Sequence, residues 1–485
     1  MTKKNHRKRS KLLVSVFAAA LILTAAFSGI IKAPDTVPEA SDNREILKIE
    51  LFDRSSDVNG FGIYDSAELM EWIQHDFGDP NNAEIEFVTA SRGNETEELN
   101  KYLASGSGPD IVFTYNPYYF GSYAKNGMLT DLTELIDAHG GNIKALVGSE
   151  LLQSGQIGGR QYAVPAKRMF TGKYVSYIRK DWLDALGLEV PKTTDELVNA
   201  LVRFRELDND GSLIPFSSQY GNSAAIKTIL QNFCMENEYS ETAPFSDPDY
   251  KRGLEFLNEL YNSGLLGSAY ASDIDSVAHY TNISEGEVGF FTDSLSASSF
   301  NRLISICELM KTNDPDAELV VCDAITNSGG KHFKEVNPDS GMYIFVPAYS
   351  TKAELAVKYL DWLSRPDVIS TLQSGVTDNG NLSVSFDLCL TINGFYADTA
   401  DESITAESKT YGEYSQLFLD ACRSSVTDGF RSDISPEEII KNGNADRISG
   451  IIDKYVTQCI TAAPESFDRI YEQSAAQFAA ETAGL

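Results

Sequence analysis

Residues 114–123 read TYNPYYFGSY and place five aromatic side chains, Tyr115, Tyr118, Tyr119, Phe120 and Tyr123, within one short stretch. An aromatic face covers the apolar C–H patches of a sugar ring, and planar polar groups pair with its hydroxyls. Ligand pockets generally combine the two. The aromatics follow DIVFTY (110–115), which reads as a strand, and ligands of open α/β sheets sit just beyond the carboxyl ends of strands. On that rule Tyr115 and Asn116 are candidate binding residues, with the rest of the aromatic run partly in the core. Asp53 and Arg54, at the end of the strand pattern EILKIELFD (45–53), are candidates on the same ground.

Other chemistries find less support. Asp208, Asn209, Asp210 and Gly211 resemble the opening of a calcium loop, but Leu213, Ile214 and Pro215 arrive where oxygen ligands should continue. Asp208 and Asp210 are thus weak calcium candidates, and an Asx-rich turn is the favoured reading. Seventy acidic residues make carboxylate pairs unavoidable by chance, so counting them does not exclude a glycosidase. Histidine is scarce, and no HExxH, GxSxG or GxxxxGK[ST] occurs, so metal-assisted or serine hydrolysis has no sequence support. No catalytic residue, metal or cofactor is expected.

The 485 residues suffice for two or three compact units, and 42% hydrophobic content fits a folded protein. A net charge of −30 argues against nucleic acid, whose phosphates demand a basic surface. Lys3, Lys4, Arg7, Lys8, Arg9 and Lys11 precede an apolar stretch at 12–31, the pattern of a secretory signal. That stretch is also long enough for an uncleaved membrane anchor, and both readings stand. Residues 32–44 form a polar linker. The six cysteines all lie from Cys234 onward without a CxxC pair, which favours buried thiols, although one disulfide is compatible with an extracellular setting.

Strand patterns at 45–53, 83–90 and 110–115 alternate with helical patterns, which predicts βαβ units and mostly parallel sheets with flanking helices. Downstream, RKDWLDALG (179–187) reads as a short helix ended by Gly187. Thr193 and Glu196 then form a capping box for a helix with Leu197, Ala200, Leu201 and Phe204 on one face.

The stretch YIRKDWLDALGLEVPKTTDEL (177–197) resembles the hallmark of the extracellular solute-binding proteins of ABC importers, in the maltose-binding-protein-like family of Gram-positive type. YLASGSGPDIVF (102–113), NGMLTDLTELI (126–136), GGRQYAVP (158–165), ISEGEVGFF (283–291), VPAYSTKAELAVKYLDWL (346–363) and SFDRIYEQSAAQF (466–478) are similar to further family motifs in the expected order. The resemblance implies a two-lobed α/β clamp of the periplasmic-binding-protein type. It places residues 45–168 with 290–333 in a first lobe and 174–284 with 338–485 in a second. Crossings are expected near 168–173, 290–293 and 332–339, with ligand in the cleft. By position in this scheme Arg168, Tyr220, Asn222, Phe291 and Asp293 join the candidate binding residues. The implied function is reversible binding of a sugar or oligosaccharide for membrane permease subunits, by a monomer outside the cell. The alternative is a secreted carbohydrate-active hydrolase. One departure is that LTAAFSG (23–29) lacks the lipobox cysteine usual in such relatives.

Overall fold

The computed structural model describes residues 44–52, 67–90, 94–209, 211–234, 243–374, 376–378, 381–383, 388–431 and 445–483. The leader, most of the polar linker, Asp53, Arg54 and Asp210 lie outside them. Twelve of the strands are used below: β1 Glu45–Phe52, β2 Ala83–Ala90, β3 Val112–Thr114, β4 Val164–Arg168, β5 Tyr174–Arg179, β6 Ile214–Phe216, β7 Val288–Ser294, β8 Leu319–Val321, β9 Lys334–Glu335, β10 Ser340–Phe345, β11 Ile392–Asn393 and β12 Gly429–Phe430.

The strands form two main sheets. In the first the order is β11-β4-β10-β3, and β1 joins β3 through a parallel bridge at Ile49 and Ile111 and carries β2 on its far side. β1 pairs with β2 in parallel along its whole length, while β10 runs antiparallel to both β3 and β4. The second sheet has the order β8-β5-β7-β6, parallel between β6 and β7 and antiparallel elsewhere. The sheets are therefore mixed. The antiparallel members include strands that the chain adds after returning from the other sheet.

Each sheet has its own core. Leu47, Ile49, Leu51, Phe113 and Ile344 pack on one face of the first sheet, and Val112, Phe120 and Phe345 on the other. Ile178, Phe216 and Phe290 pack on one face of the second sheet, and Val175, Tyr177 and Phe291 on the other. Among the described residues no cluster mixes residues of the two sheets. Two separately buried sheets joined by chain crossings make a two-lobed α/β clamp.

The pairings correct the expected division of the chain. β7 pairs with β5 from Tyr174 opposite Ser294 to Ile178 opposite Phe290, so 290–293 lies inside the second sheet and is not a crossing. β8 also pairs with β5, whereas β10 and β11 belong to the first sheet, with the helix Ala353–Leu363 packed on it. The chain crosses after β4, between β8 and β10, and after β11. The reason is physical: β7 and β10 are buried along almost their whole length, and a strand buried on both faces carries no sign of which sheet it completes.

Local signals behave as their chemistry dictates. Thr193 Oγ1 accepts the N–H of Glu196 at 3.2 Å, and the Glu196 carboxylate reaches back to the N–H of Lys192 at 2.8 Å. Gly187 takes a φ of +65°, where a side chain would be strained. Arg179, only 1% exposed, donates from Nε and Nη2 to both carboxylate oxygens of Asp181, and from Nη1 to the carbonyl of Gly286. The RKDW stretch is thus a clamp between a strand, a helix and a loop. All six cysteines are buried thiols outside any disulfide. Among the described residues, no helix is long and apolar enough to cross a membrane.

Candidate functional site

β1, β3, β4 and β11 all point the same way, so Phe52, Tyr115, Arg168 and Asn393 gather at one edge of the first sheet. The chain leaves β4 at Arg168 and enters β5 at Tyr174, whose partner Ser294 ends β7. The loop after β6 lies at that same edge of the second sheet. The two edges are joined by the crossing that leaves β4 and enters β5, the strand-end position at which ligands of α/β sheets are generally held.

On the first edge Tyr115 is 36% exposed, and its ring stacks on Phe52 with centroids 5.9 Å apart and planes 9° apart. Its backbone N–H donates to the Glu95 carboxylate at 3.3 Å. Asn116 serves the fold: its side-chain oxygen caps the helix Pro117–Lys125 by accepting the N–H of Tyr118 at 2.9 Å. Arg168 is fixed by its backbone N–H, which donates to the carbonyl of Asp339 at 2.7 Å. Its Nε donates to the carbonyl of Pro338 at 3.1 Å, and its Nη1 reaches the Asn393 side-chain oxygen at 3.5 Å. Burial lowers the guanidinium's proton affinity, while the nearby Tyr115 hydroxyl and Asp339 carboxylate act against that. The structure therefore places Tyr115 and Arg168 at the same end of the first sheet, on the two strands that flank β10.

On the second edge Phe291 is 1% exposed and packs against Tyr177, so it does not face the cleft. It lies directly opposite Tyr177 in the ladder, with its ring in the core beneath the sheet. Asp293, two residues on and 6% exposed, is occupied within its own lobe. It accepts from Arg302 Nη2 at 2.8 and 3.0 Å and from the Tyr280 hydroxyl at 3.2 Å. The Arg302 guanidinium lies over the Tyr280 ring at 4.4 Å, and Gln219 donates to the Tyr280 hydroxyl at 2.8 Å.

Tyr220 and Asn222 lie in a loop pinned from behind. The N–H of Asn222 donates to Asp453 at 2.8 Å, and the Tyr270 hydroxyl donates to the carbonyl of Gly221 at 3.0 Å. Gly221 has a φ of +74°, and a Cβ there would meet the Asp453 carboxylate at 2.7 Å. The Asn222 side-chain oxygen is buried without a hydrogen-bond partner among the described residues.

The crossings hold charges that the sequence did not single out. Glu335 in β9 takes ion pairs from Lys173 and from Lys227, the latter at 2.6 Å. Burial pushes its carboxyl up, but the two ammonium groups outweigh that and hold it below the usual range. Lys334 pairs with Asp323 at 2.5 Å and donates to the Ser424 carbonyl at 2.7 Å. Arg431 Nη1 and Nη2 take the two oxygens of Asp339, both at 2.7 Å. The available signal was the density of charge around crossing residues 332–339.

Of the two calcium candidates, Asp210 lies outside the described residues. Asp208 Oδ1 accepts the N–H of Gly211 at 2.8 Å as an Asx-type turn. Among the described residues no group of three or more His, Cys, Asp or Glu is arranged to hold a metal ion.

A family model described as bacterial extracellular solute-binding protein matches residues 65–369. The lipoprotein LipO of Bacillus subtilis (strain 168) is 24% identical over 322 residues, 63% of this chain and 62% of its own length. The fructooligosaccharide ABC transporter substrate-binding protein FusA of Streptococcus pneumoniae serotype 4 is 27% identical over 197 residues, covering 35% of this chain and 37% of FusA. The chain thus matches less than two thirds of either relative. Among solved structures, an extracellular solute-binding protein from Bifidobacterium longum subsp. infantis superposes with a TM-score of 0.66 at 16% identity, covering 91% of this chain and 96% of that one. At that identity the likeness concerns the fold.

Proposed function

Since the chain belongs to the family of bacterial extracellular solute-binding proteins, we propose that it is the substrate-binding component of an ABC importer for a sugar or oligosaccharide. The ligand is held reversibly between the two sheet edges and presented to permease subunits in the membrane. The protein works as a monomer outside the cell, retained by its N-terminal segment or released, and carries out no reaction on its ligand. The observation that carries this reading is the first-lobe edge, where Tyr115, 36% exposed and stacked on Phe52, and Arg168 stand at the ends of the two strands that flank β10. An aromatic face with a planar donor on the same edge matches the C–H patches and hydroxyls of a saccharide. FusA, described as a fructooligosaccharide-binding transporter component, supports the same ligand class. Lobes joined by several strands close about a ligand by hinge motion, which the crossings after β4, before β10 and after β11 permit.

The test is an equilibrium titration against a saccharide panel, followed by intrinsic fluorescence, with chromatography of the recovered sugar. Saturable binding of at least one saccharide, returned intact, is expected. Appearance of shortened products would favour the hydrolase reading and overturn this one.

A further inference from the structure

The loop after β6, residues 217–223, is held by other elements at nearly every step. The Ser217 hydroxyl lies 2.8 Å from His279 Nδ1, and the Ser217 N–H donates to the carbonyl of Phe290 at 3.0 Å. Gln219 donates to the Tyr280 hydroxyl at 2.8 Å, and the hydroxyls of Ser218 and Ser223 close the loop on itself across 2.7 Å. Tyr270, 1% exposed, donates its hydroxyl to the carbonyl of Gly221 at 3.0 Å. Asp453, on the helix Ala445–Ile460, accepts the N–H of Asn222 at 2.8 Å. The partners come from three separate segments, Ser268–Ala271, Val277–Glu285 and Ala445–Ile460.

A loop that only turns the chain needs a glycine at positive φ and little else. Here Gly221 has that conformation, and the Asp453 carboxylate also fills the space where a Cβ would stand. Tyr220 takes part in none of the bonds just named. It is partly exposed, between the pinned Gln219 and Gly221, and it follows the carboxyl end of β6, the position from which an α/β sheet reaches a ligand. A ring carried on a loop that is already fixed loses little freedom on contact, so more of the contact appears as affinity.

We propose that Asp453 is a positioning residue of the binding site: with Tyr270 and His279 it fixes loop 217–223 so that Tyr220 meets the ligand from the second lobe. This rests on the saccharide-binding reading above and adds to it a residue that acts through the loop.

The experiment is a double-mutant cycle on ligand affinity, by calorimetric titration of the purified protein. The probe is the tightest binder among maltotriose, xylotriose, chitotriose and kestose. Tyr220→Ala should weaken binding about 10-fold. Asp453→Ala should weaken it by a similar factor. Asp453→Asn, whose amide oxygen still accepts the Asn222 N–H, should stay within about threefold of wild type. In the Tyr220→Ala background, Asp453→Ala should add less than about twofold, because no contact is left for it to position. Tyr270→Phe deletes one hydroxyl and little volume, and should show the same dependence on Tyr220 with a smaller loss. It carries the test if Asp453→Ala melts too low to titrate. A merely structural residue lowers the melting temperature without this coupling. Wild-type affinity in both Asp453→Ala and Tyr270→Phe, or losses that multiply with that of Tyr220→Ala, would overturn the inference and leave the saccharide reading standing. Failure of the wild-type protein to bind any of the probes would overturn both.

Discussion

The two sheet edges joined by the crossings treat their polar groups in opposite ways. On the second edge, Asp293 is bound by Arg302 and Tyr280, and Gln219 completes the set, so this carboxylate has its partners inside one lobe. On the first edge, Arg168 has neutral partners only and Tyr115 leaves a third of its surface exposed. A polar group already satisfied gains little from a ligand, whereas an incompletely paired one gains much. On that accounting we propose the first edge as the contact surface and the Asp293 group on the second as scaffolding. Both sets of residues sit at strand ends, so position alone does not separate them, but hydrogen-bond accounting does.

The largest expected effect falls between the edges. Glu335 is 6% exposed and holds two ammonium groups from different segments, Lys173 at a crossing and Lys227 on a helix. Glu335→Ala leaves both without their counter-charge and should cost about 3 kcal/mol, read as a lower denaturation midpoint at unchanged m-value. A loss below about 0.5 kcal/mol would show that the crossings are not held by charge.

Next comes the pH dependence, which opposes the lobes. Glu50 in the first lobe is fully buried, and burial raises its carboxyl to about 8. Its contribution to stability is complete below the unfolded value of 4.5 and is lost as pH rises through about 8. His279 in the second lobe is lowered to about 4 by burial, so its contribution is complete above 6.5 and is lost as pH falls through about 4. Glu50→Gln should therefore gain on wild type toward pH 9, on the order of 2 kcal/mol, with no gain near pH 4. His279→Asn should flatten only the acid limb. Melting temperature against pH for the three proteins checks both signs, and a Glu50→Gln curve parallel to wild type would contradict the first.

Asp293→Asn follows, at about 1.5 kcal/mol, discounted because the Arg302 side chain is 40% exposed. The smallest effect is Thr193→Ala, which removes a helix cap far from either edge and should cost about 1 kcal/mol with no change in ligand affinity.

What the sequence made legible follows the same division. Strand β2 occupies the residues its pattern marks, and Gly187, Thr193 and Glu196 act as their chemistry implies, because each signal is complete within a few residues. The strand-end position of Tyr115 was legible because a strand end is local, while Arg168 was placed by the crossing that the family resemblance implied. The sheet membership of β7 and β10 was not, since both are buried along nearly their whole length and their neighbours are chosen by distant segments. Asp293 looked available for the same reason: its partner Arg302 is supplied by the helix Ala297–Asn313, and only the docking of that helix on the strand brings them together.

The contrast between the edges is tested most directly by measuring, with whichever saccharide wild type binds, the dissociation constants of Tyr115→Ala and Asp293→Asn side by side. Tyr115→Ala should weaken binding about 10-fold or more at nearly unchanged melting temperature, since it deletes an exposed contact face. Asp293→Asn should keep its affinity within about twofold while melting several degrees lower. The reverse outcome, with affinity lost at Asp293 and retained at Tyr115, would contradict the assignment of contact to the first edge and of scaffolding to the Asp293 group.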